Sequence, residues 1–209
     1  MPISGLYAVT PQCADTAVLL DKVRQALEGG AQLVQYRDKS NDVALRHEQA
    51  SELLALCREF GVALIINDDL RLASLVGADG VHLGREDSSL REARLILGPG
   101  KIVGVSCYND LQQAIAAQQG GADYVAFGSF FASPTKPAAI PAPLELLRLA
   151  RHELSVPLVA IGGITLDNAG LLIAAGADAL AVISAVFDSP DIRAAASGFT
   201  ELFTKPTVH

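Results

Sequence analysis

The stretch Gln35-Tyr36-Arg37-Asp38-Lys39 closes an apolar run that begins at Leu33, and its alternate residues Gln35, Arg37 and Lys39 share one direction if the chain stays extended. One amide and two cations on one side suit an anion. Arg grips a phosphate with two parallel donors and Lys adds a mobile point charge, so the pair fits a polyphosphate. A second run ends in Asn67-Asp68-Asp69, and Glu86-Asp87 follows a third. Carboxylates beside a bound anion need a mediating cation. Mg²⁺ commonly takes one or two protein carboxylates, keeps waters, and completes its shell with substrate phosphate oxygens. Asp68 and Asp87 are the expected ligands, while Asp69 and Glu86 read as helix N-cap or first-turn acids.

Further along, Ser133-Pro134-Thr135-Lys136 adds two hydroxyls and a third cation, and Ile161-Gly162-Gly163-Ile164-Thr165 and Ile183-Ser184 close two more apolar runs. Glycines at such a point let the backbone approach an anion, and a helix N-terminus offers free N–H groups with favourable dipole charge. Two anion regions are therefore expected: one with a metal, near Arg37 and Asp68, and one without, near Gly163 and Ser184. Two small phosphorylated substrates would satisfy both. His82 lies inside an apolar run and reads as a hydrogen-bonded core histidine, with His47 and His152 on predicted helices. No Ser-His-Asp order or H-E-x-x-H spacing supports a hydrolase or zinc site.

The elements that must position these residues show in a repeated phrase. Gly30-Ala31-Gln32, Gly77-Ala78-Asp79, Gly121-Ala122-Asp123 and Gly176-Ala177-Asp178 each join a helical stretch to an apolar strand. Successive phrases lie about 45 to 55 residues apart, twice one strand-plus-helix unit, so an unmarked unit sits between each pair. Eight strands follow, near 5–10, 33–38, 64–67, 80–83, 102–106, 124–128, 158–161 and 179–184. Helical spacing fills 42–60, 88–97, 109–119 and 167–175, with Asn41, Ser88, Asn109 and Thr165 as expected N-caps. Strict alternation over the chain predicts the α/β class: a single (β/α)8 TIM barrel spanning residues 1–209, parallel and eight-stranded, with the polar strand ends gathered at the C-terminal mouth. The proline-bearing piece 129–143 follows the sixth strand and reads as an active-site loop.

With 209 residues, half of them hydrophobic, the chain can bury one sizeable core. A net charge of −7 argues against nucleic acid as a partner. The apolar segment 169–187 is broken by Gly176 and Asp178 and does not read as a membrane span. The opening residues show no secretory pattern, and Cys13, Cys57 and Cys107 form no C-x-x-C pair, so a cytoplasmic, reduced protein is expected. Oligomeric state, including a homo-oligomer, is not written in these patterns.

Taken together, Gln35 to Lys39, Asn67-Asp68, His82 to Asp87, Gly104-Val105-Ser106, Pro134-Thr135-Lys136, Ile161 to Ile164 and Ile183-Ser184 resemble the thiamine phosphate synthase family, over essentially the whole chain. The resemblance implies a transferase that joins hydroxymethylpyrimidine diphosphate to hydroxyethylthiazole phosphate with release of pyrophosphate. By that resemblance, Gln35, Arg37, Lys39, Asn67, Ser106 and Lys136 contact the pyrimidine diphosphate, and Asp68 and Asp87 hold Mg²⁺. Ser133, Thr135, Gly163, Ile183 and Ser184 hold the thiazole phosphate. The implied mechanism is dissociative, with Arg37, Lys39, Lys136 and Ser106 as the catalytic set. The chain departs from the usual pattern at Ser133, where Thr is common, and at Cys107-Tyr108, where a Thr-His pair is frequent. A thiazole tautomerase-like isomerase, or a non-catalytic thiazole phosphate sensor, is the alternative; the first is disfavoured by Tyr108 in place of His.

Overall fold

Runs such as Leu33–Tyr36 and Tyr124–Phe127, buried at every position, belong in a sheet covered on both faces. The computed structural model describes residues 3–84, 89–132 and 141–204 and shows that sheet. Its strands are β1 (Gly5–Val9), β2 (Leu33–Tyr36), β3 (Ala63–Asn67), β4 (Gly80–Leu83), β5 (Ile102–Tyr108), β6 (Tyr124–Phe127), β7 (Leu158–Ile161) and β8 (Ala179–Val182). All neighbours run parallel and β8 returns to β1, closing the barrel. The helices are α1 (Thr16–Glu28), α2 (Val43–Glu59), α3 (Leu70–Val76), α4 (Leu90–Leu97), α5 (Leu111–Gln119), α6 (Leu144–Glu153), α7 (Leu166–Ala174), α8 (Ser184–Phe187) and α9 (Ile192–Thr204). The (β/α)8 expectation holds. Among the described residues no helix is long and apolar enough to cross a membrane.

Alternation along each strand divides the core in two. Leu6, Ala8, Val34, Leu64, Ile66, Val81, Val125, Leu158 and Leu180 face the helices, and the helices bury Leu19, Val23, Leu53, Ala114, Leu147 and Leu172 against them. Tyr7, Val9, Leu33, Ile65, Tyr124, Ala126, Val159, Ala179 and Ala181 fill the interior. The interior is packed by pairing large with small. At Gly104 of β5, a Cβ would lie 1.9 Å from the Tyr124 ring, so the missing side chain is the space that the phenol occupies.

The Gly-Ala-Asp phrase has a structural reason beyond the turn. Its Asp carboxylate accepts from the backbone N–H near the start of the preceding strand: Asp79 from Leu64 at 2.9 Å, Asp123 from Val103 at 2.7 Å, and Asp178 from Leu158 at 2.7 Å. In each case the Asp N–H donates back to the same residue's carbonyl. Arg94 and Arg151 brace two of these joints, each contacting the Asp carboxylate and the Gly carbonyl. Gln32 stands in the fourth joint, and its side-chain amide donates instead to the Gly30 carbonyl.

Strand and helix ends differ from expectation at defined places. β2 stops at Tyr36, so Arg37 and Lys39 lie beyond the strand; β8 stops at Val182, and Ile183 turns the chain directly into α8. β5 runs on to Tyr108, with a register shift between Ser106 and Tyr108. Asp42, Ser89 and Asp110 cap α2, α4 and α5, each one residue after the cap read from sequence. In each case the later residue holds extended backbone and its side chain accepts from the N–H three positions on.

Candidate active site at the barrel mouth

A chain of polar side chains runs through the barrel. Gln35 of β2, only 4% exposed, donates through Nε2 to the Tyr7 hydroxyl of β1 at 2.8 Å. The Tyr7 and Tyr124 hydroxyls are bonded at 2.8 Å, Tyr124 Oη lies 2.9 Å from His82 Nδ1, and His82 Nε2 lies 2.8 Å from Ser106 Oγ. These five residues come from five strands. Burial pushes both phenols well above the ordinary tyrosine range; for Tyr124 the neighbouring Tyr7 adds to the rise. Gln35 and Ser106 were legible in the sequence as site residues, whereas Tyr7 and Tyr124 were not.

Beyond β2, the backbone is held by the continuation of β1. Buried Thr10 accepts from the Arg37 N–H at 2.9 Å, and the Gln12 side chain accepts from the Lys39 N–H at 3.0 Å. Gln12 also donates to the Asp38 carboxylate at 2.5 Å, which accepts from Ser40 N–H at 2.7 Å. Asp38 is thereby occupied in shaping the turn. Arg37 is half-buried and Lys39 exposed, and neither the guanidinium nor the ammonium forms an ion pair or side-chain hydrogen bond among the described residues. Thr10 and Gln12 are supporting residues that sequence reading passed over; their signal was polar alternation continuing past an apolar strand.

At the end of β3 the two aspartates divide. Asp69 caps α3, accepting from Leu72 N–H at 2.8 Å, and pairs with Arg46 of α2 at 2.6 Å. Asp68 adopts left-handed backbone at φ 61°, with its N–H donating to the His82 carbonyl and its carboxylate accepting from Asn67 Nδ2 at 2.6 Å. A non-glycine residue there is uncommon and costs on the order of 1 kcal/mol, held by the surrounding bonds. Asp68 is thus the carboxylate at this strand end that is not consumed by capping. It is a hard oxygen donor and fits Mg²⁺; among the described residues no cluster of three His, Cys, Asp or Glu forms a metal cage. The partner ligand expected from sequence, Asp87, lies outside the described residues.

On the opposite side, the segment after β6 lies on the turn after β7. Phe130 N–H donates to Ile161 O and Phe131 N–H to Gly162 O. A Cβ on Gly162 would meet Ser129, and one on Gly163 would lie 2.4 Å from the Ala132 carbonyl. The Gly-Gly pair therefore has a packing reason that sequence reading did not foresee: it lets one mouth loop seat on another. Gly163 also accepts from Asn168 Nδ2 at the start of α7. Ile183 and Ser184 lie where β8 turns into the short helix α8, at the mouth position where barrels commonly bind phosphate. Ser133, Thr135 and Lys136 lie outside the described residues.

Residues 6–186 match the family described as thiamine monophosphate synthase. The chain is 64% identical over 199 residues to the thiamine-phosphate synthase of Thiobacillus denitrificans, covering 95% of this chain and 94% of that one. It is 57% identical over 201 residues to the thiamine-phosphate synthase of Aromatoleum aromaticum, covering 96% and 97%. Among solved structures, the thiamine phosphate pyrophosphorylase from Pyrococcus furiosus superposes with a TM-score of 0.84 at 38% identity, covering 96% of this chain and 95% of that chain.

Proposed function

The chain belongs to the thiamine monophosphate synthase family and is a transferase, and from that premise we propose how its own residues join hydroxymethylpyrimidine diphosphate to hydroxyethylthiazole phosphate. The carrying observation is Arg37: a half-buried residue whose guanidinium has no anionic partner among the described residues, its backbone N–H held by Thr10 just past a strand end. A charge partly removed from water and left unpaired is costly unless a ligand supplies the counter-charge. A diphosphate does so.

In this reading Arg37, Lys39 and Lys136 take up the charge that develops on the departing pyrophosphate, and Asp68 with Asp87 would hold Mg²⁺. The metal supplies further neutralisation of the leaving group. Gln35, Asn67 and Ser106 orient the pyrimidine, so that the C–O bond breaks to a pyrimidine-methyl cation. The thiazole nitrogen then captures that carbon without any protein nucleophile. Ser133, Thr135, Gly163, Ile183 and Ser184 hold the thiazole phosphate in line, so catalysis rests on positioning and electrostatics. One domain carries the whole activity, in the cytoplasm.

The test is a two-substrate assay with and without Mg²⁺. Thiamine phosphate should form with metal, and Asp68→Ala should lower kcat/KM by about a hundredfold, the scale of removing one preorganised electrostatic group. Undiminished activity in a chelator and in Asp68→Ala would defeat the metal assignment. Absence of product with Mg²⁺ present would defeat the reaction.

A further inference from the structure

We propose that Tyr7, Tyr124 and His82 are positioning residues that transmit hydrogen-bond sense from Gln35 to Ser106, so that the two ends of the wire present complementary groups at the mouth. The argument rests on proton counting. Gln35 Nε2 is a donor only, so the Tyr7 oxygen accepts and the single Tyr7 proton passes to Tyr124 Oη. Tyr124 then donates to His82 Nδ1, which must be bare, and the proton of the neutral imidazole sits on Nε2 and is given to Ser106 Oγ. Ser106, having accepted, turns its own proton outward. Gln35 Oε1, without a partner among the described residues, remains an acceptor.

Rotating the Gln35 amide by half a turn reverses every bond. Tyr7 would donate to Gln35, Tyr124 to Tyr7, His82 Nδ1–H to Tyr124 and Ser106 to His82. The wire therefore has two self-consistent states. In one, Gln35 accepts and Ser106 donates at the mouth; in the other, both roles invert. A ligand edge that offers a donor to Gln35 selects the state in which Ser106 offers a proton. Both phenols stay protonated, each 1% exposed or less, so each can accept and donate at once. Buried polar chains of this kind rigidify their members when all are satisfied.

The role of the two ends rests on the functional reading above, whereas the wire does not, and the experiment separates them. In the full-length chain labelled with ¹⁵N, the ring shifts of His82, assigned by their loss in His82→Gln, should show the neutral Nε2–H tautomer as the dominant form. Tyr7→Phe removes the donor onto Tyr124 without changing the ring, and the Nδ1–H form should rise to a comparable population; Tyr124→Phe should do the same and serves if Tyr7→Phe fails to fold. A tautomer ratio unmoved by either phenylalanine would overturn the wire. In kcat/KM for the pyrimidine diphosphate, Gln35→Ala and Ser106→Ala should depart from multiplicative loss by about tenfold in the native background and multiply freely in Tyr7→Phe. Multiplicative losses in both backgrounds, with the tautomers shifting as stated, would leave the wire standing and overturn the assignment of both ends to the substrate.

Discussion

Arg37 and Lys39 illustrate how side-chain chemistry can be legible while its placement is not. The residue types in Gln35 to Lys39 point to an anion, but the expected strand direction ends at Tyr36, and what holds the backbone of Arg37 and Lys39 is hydrogen bonding to Thr10 and Gln12, just past the preceding strand. A neighbour reached through the fold leaves no local signature. Because the guanidinium fork, not charge alone, suits a diphosphate, Arg37→Lys should lower kcat/KM by about tenfold to a hundredfold, read from steady-state kinetics. Gly104 makes the complementary case. Its sequence context marks a site motif, yet its neighbour is the Tyr124 ring, so Gly104→Ala should destabilise the fold by about 1–3 kcal/mol through overpacking. Denaturant titration at unchanged m-value checks this. The tyrosines themselves escaped notice because an inward Tyr on a short buried strand looks like any core aromatic until its hydroxyl partner, on a distant strand, is known.

At the scale of elements, the repeated Gly-Ala-Asp phrase was readable as an αβ joint, and the count of eight strands followed from its spacing. The reason for the Asp was not, since its partner is the opening amide of the strand before. Asp178→Ala leaves the Leu158 N–H without an acceptor and Arg151 without its carboxylate. The loss should be about 1–3 kcal/mol, in proportion to an orphaned backbone donor, with the Leu158 amide exchanging faster in hydrogen exchange. Unchanged protection at that amide in Asp178→Ala would disprove the link. Helix starts were misplaced by one residue for a related reason: Asn41-Asp42 and Asn109-Asp110 each offer two competent capping side chains, and only backbone dihedrals decide between them.

For the whole molecule, buried neutral acids set the alkaline limit. Burial pushes the Cys57 and Cys107 thiols from 9.0 up to about 12, with Asp79 and Asp110 adding to the rise, respectively. Tyr7, Tyr36 and Tyr124 are raised in the same way, chiefly by burial. Above pH 9 the unfolded chain has released protons that the folded chain keeps, so the unfolded state binds fewer and stability must fall as pH rises. The stability these groups contribute is complete below pH 9 and lost progressively toward pH 12. Unfolding midpoints should decline between pH 9 and 10, and Cys57→Ala with Cys107→Ala should flatten that decline. At pH 8 a small alkylating reagent should modify Cys13, which is half-buried, well ahead of the two interior thiols, as mass spectrometry of native and unfolded protein would show.

The carboxylate joints also divide the barrel into parts that could be exchanged. Each joint ties β3 to the start of β4, β5 to that of β6, or β7 to that of β8, and the bracing arginines sit on α4 and α6, at the head of the second and third such pair. Chimeras of related barrels with crossovers just after β4 or β6 would therefore inherit every tie from a single parent. Crossovers between β5 and β6 would split one, so grafts respecting two-strand cassettes should express as folded protein more often than grafts of single units.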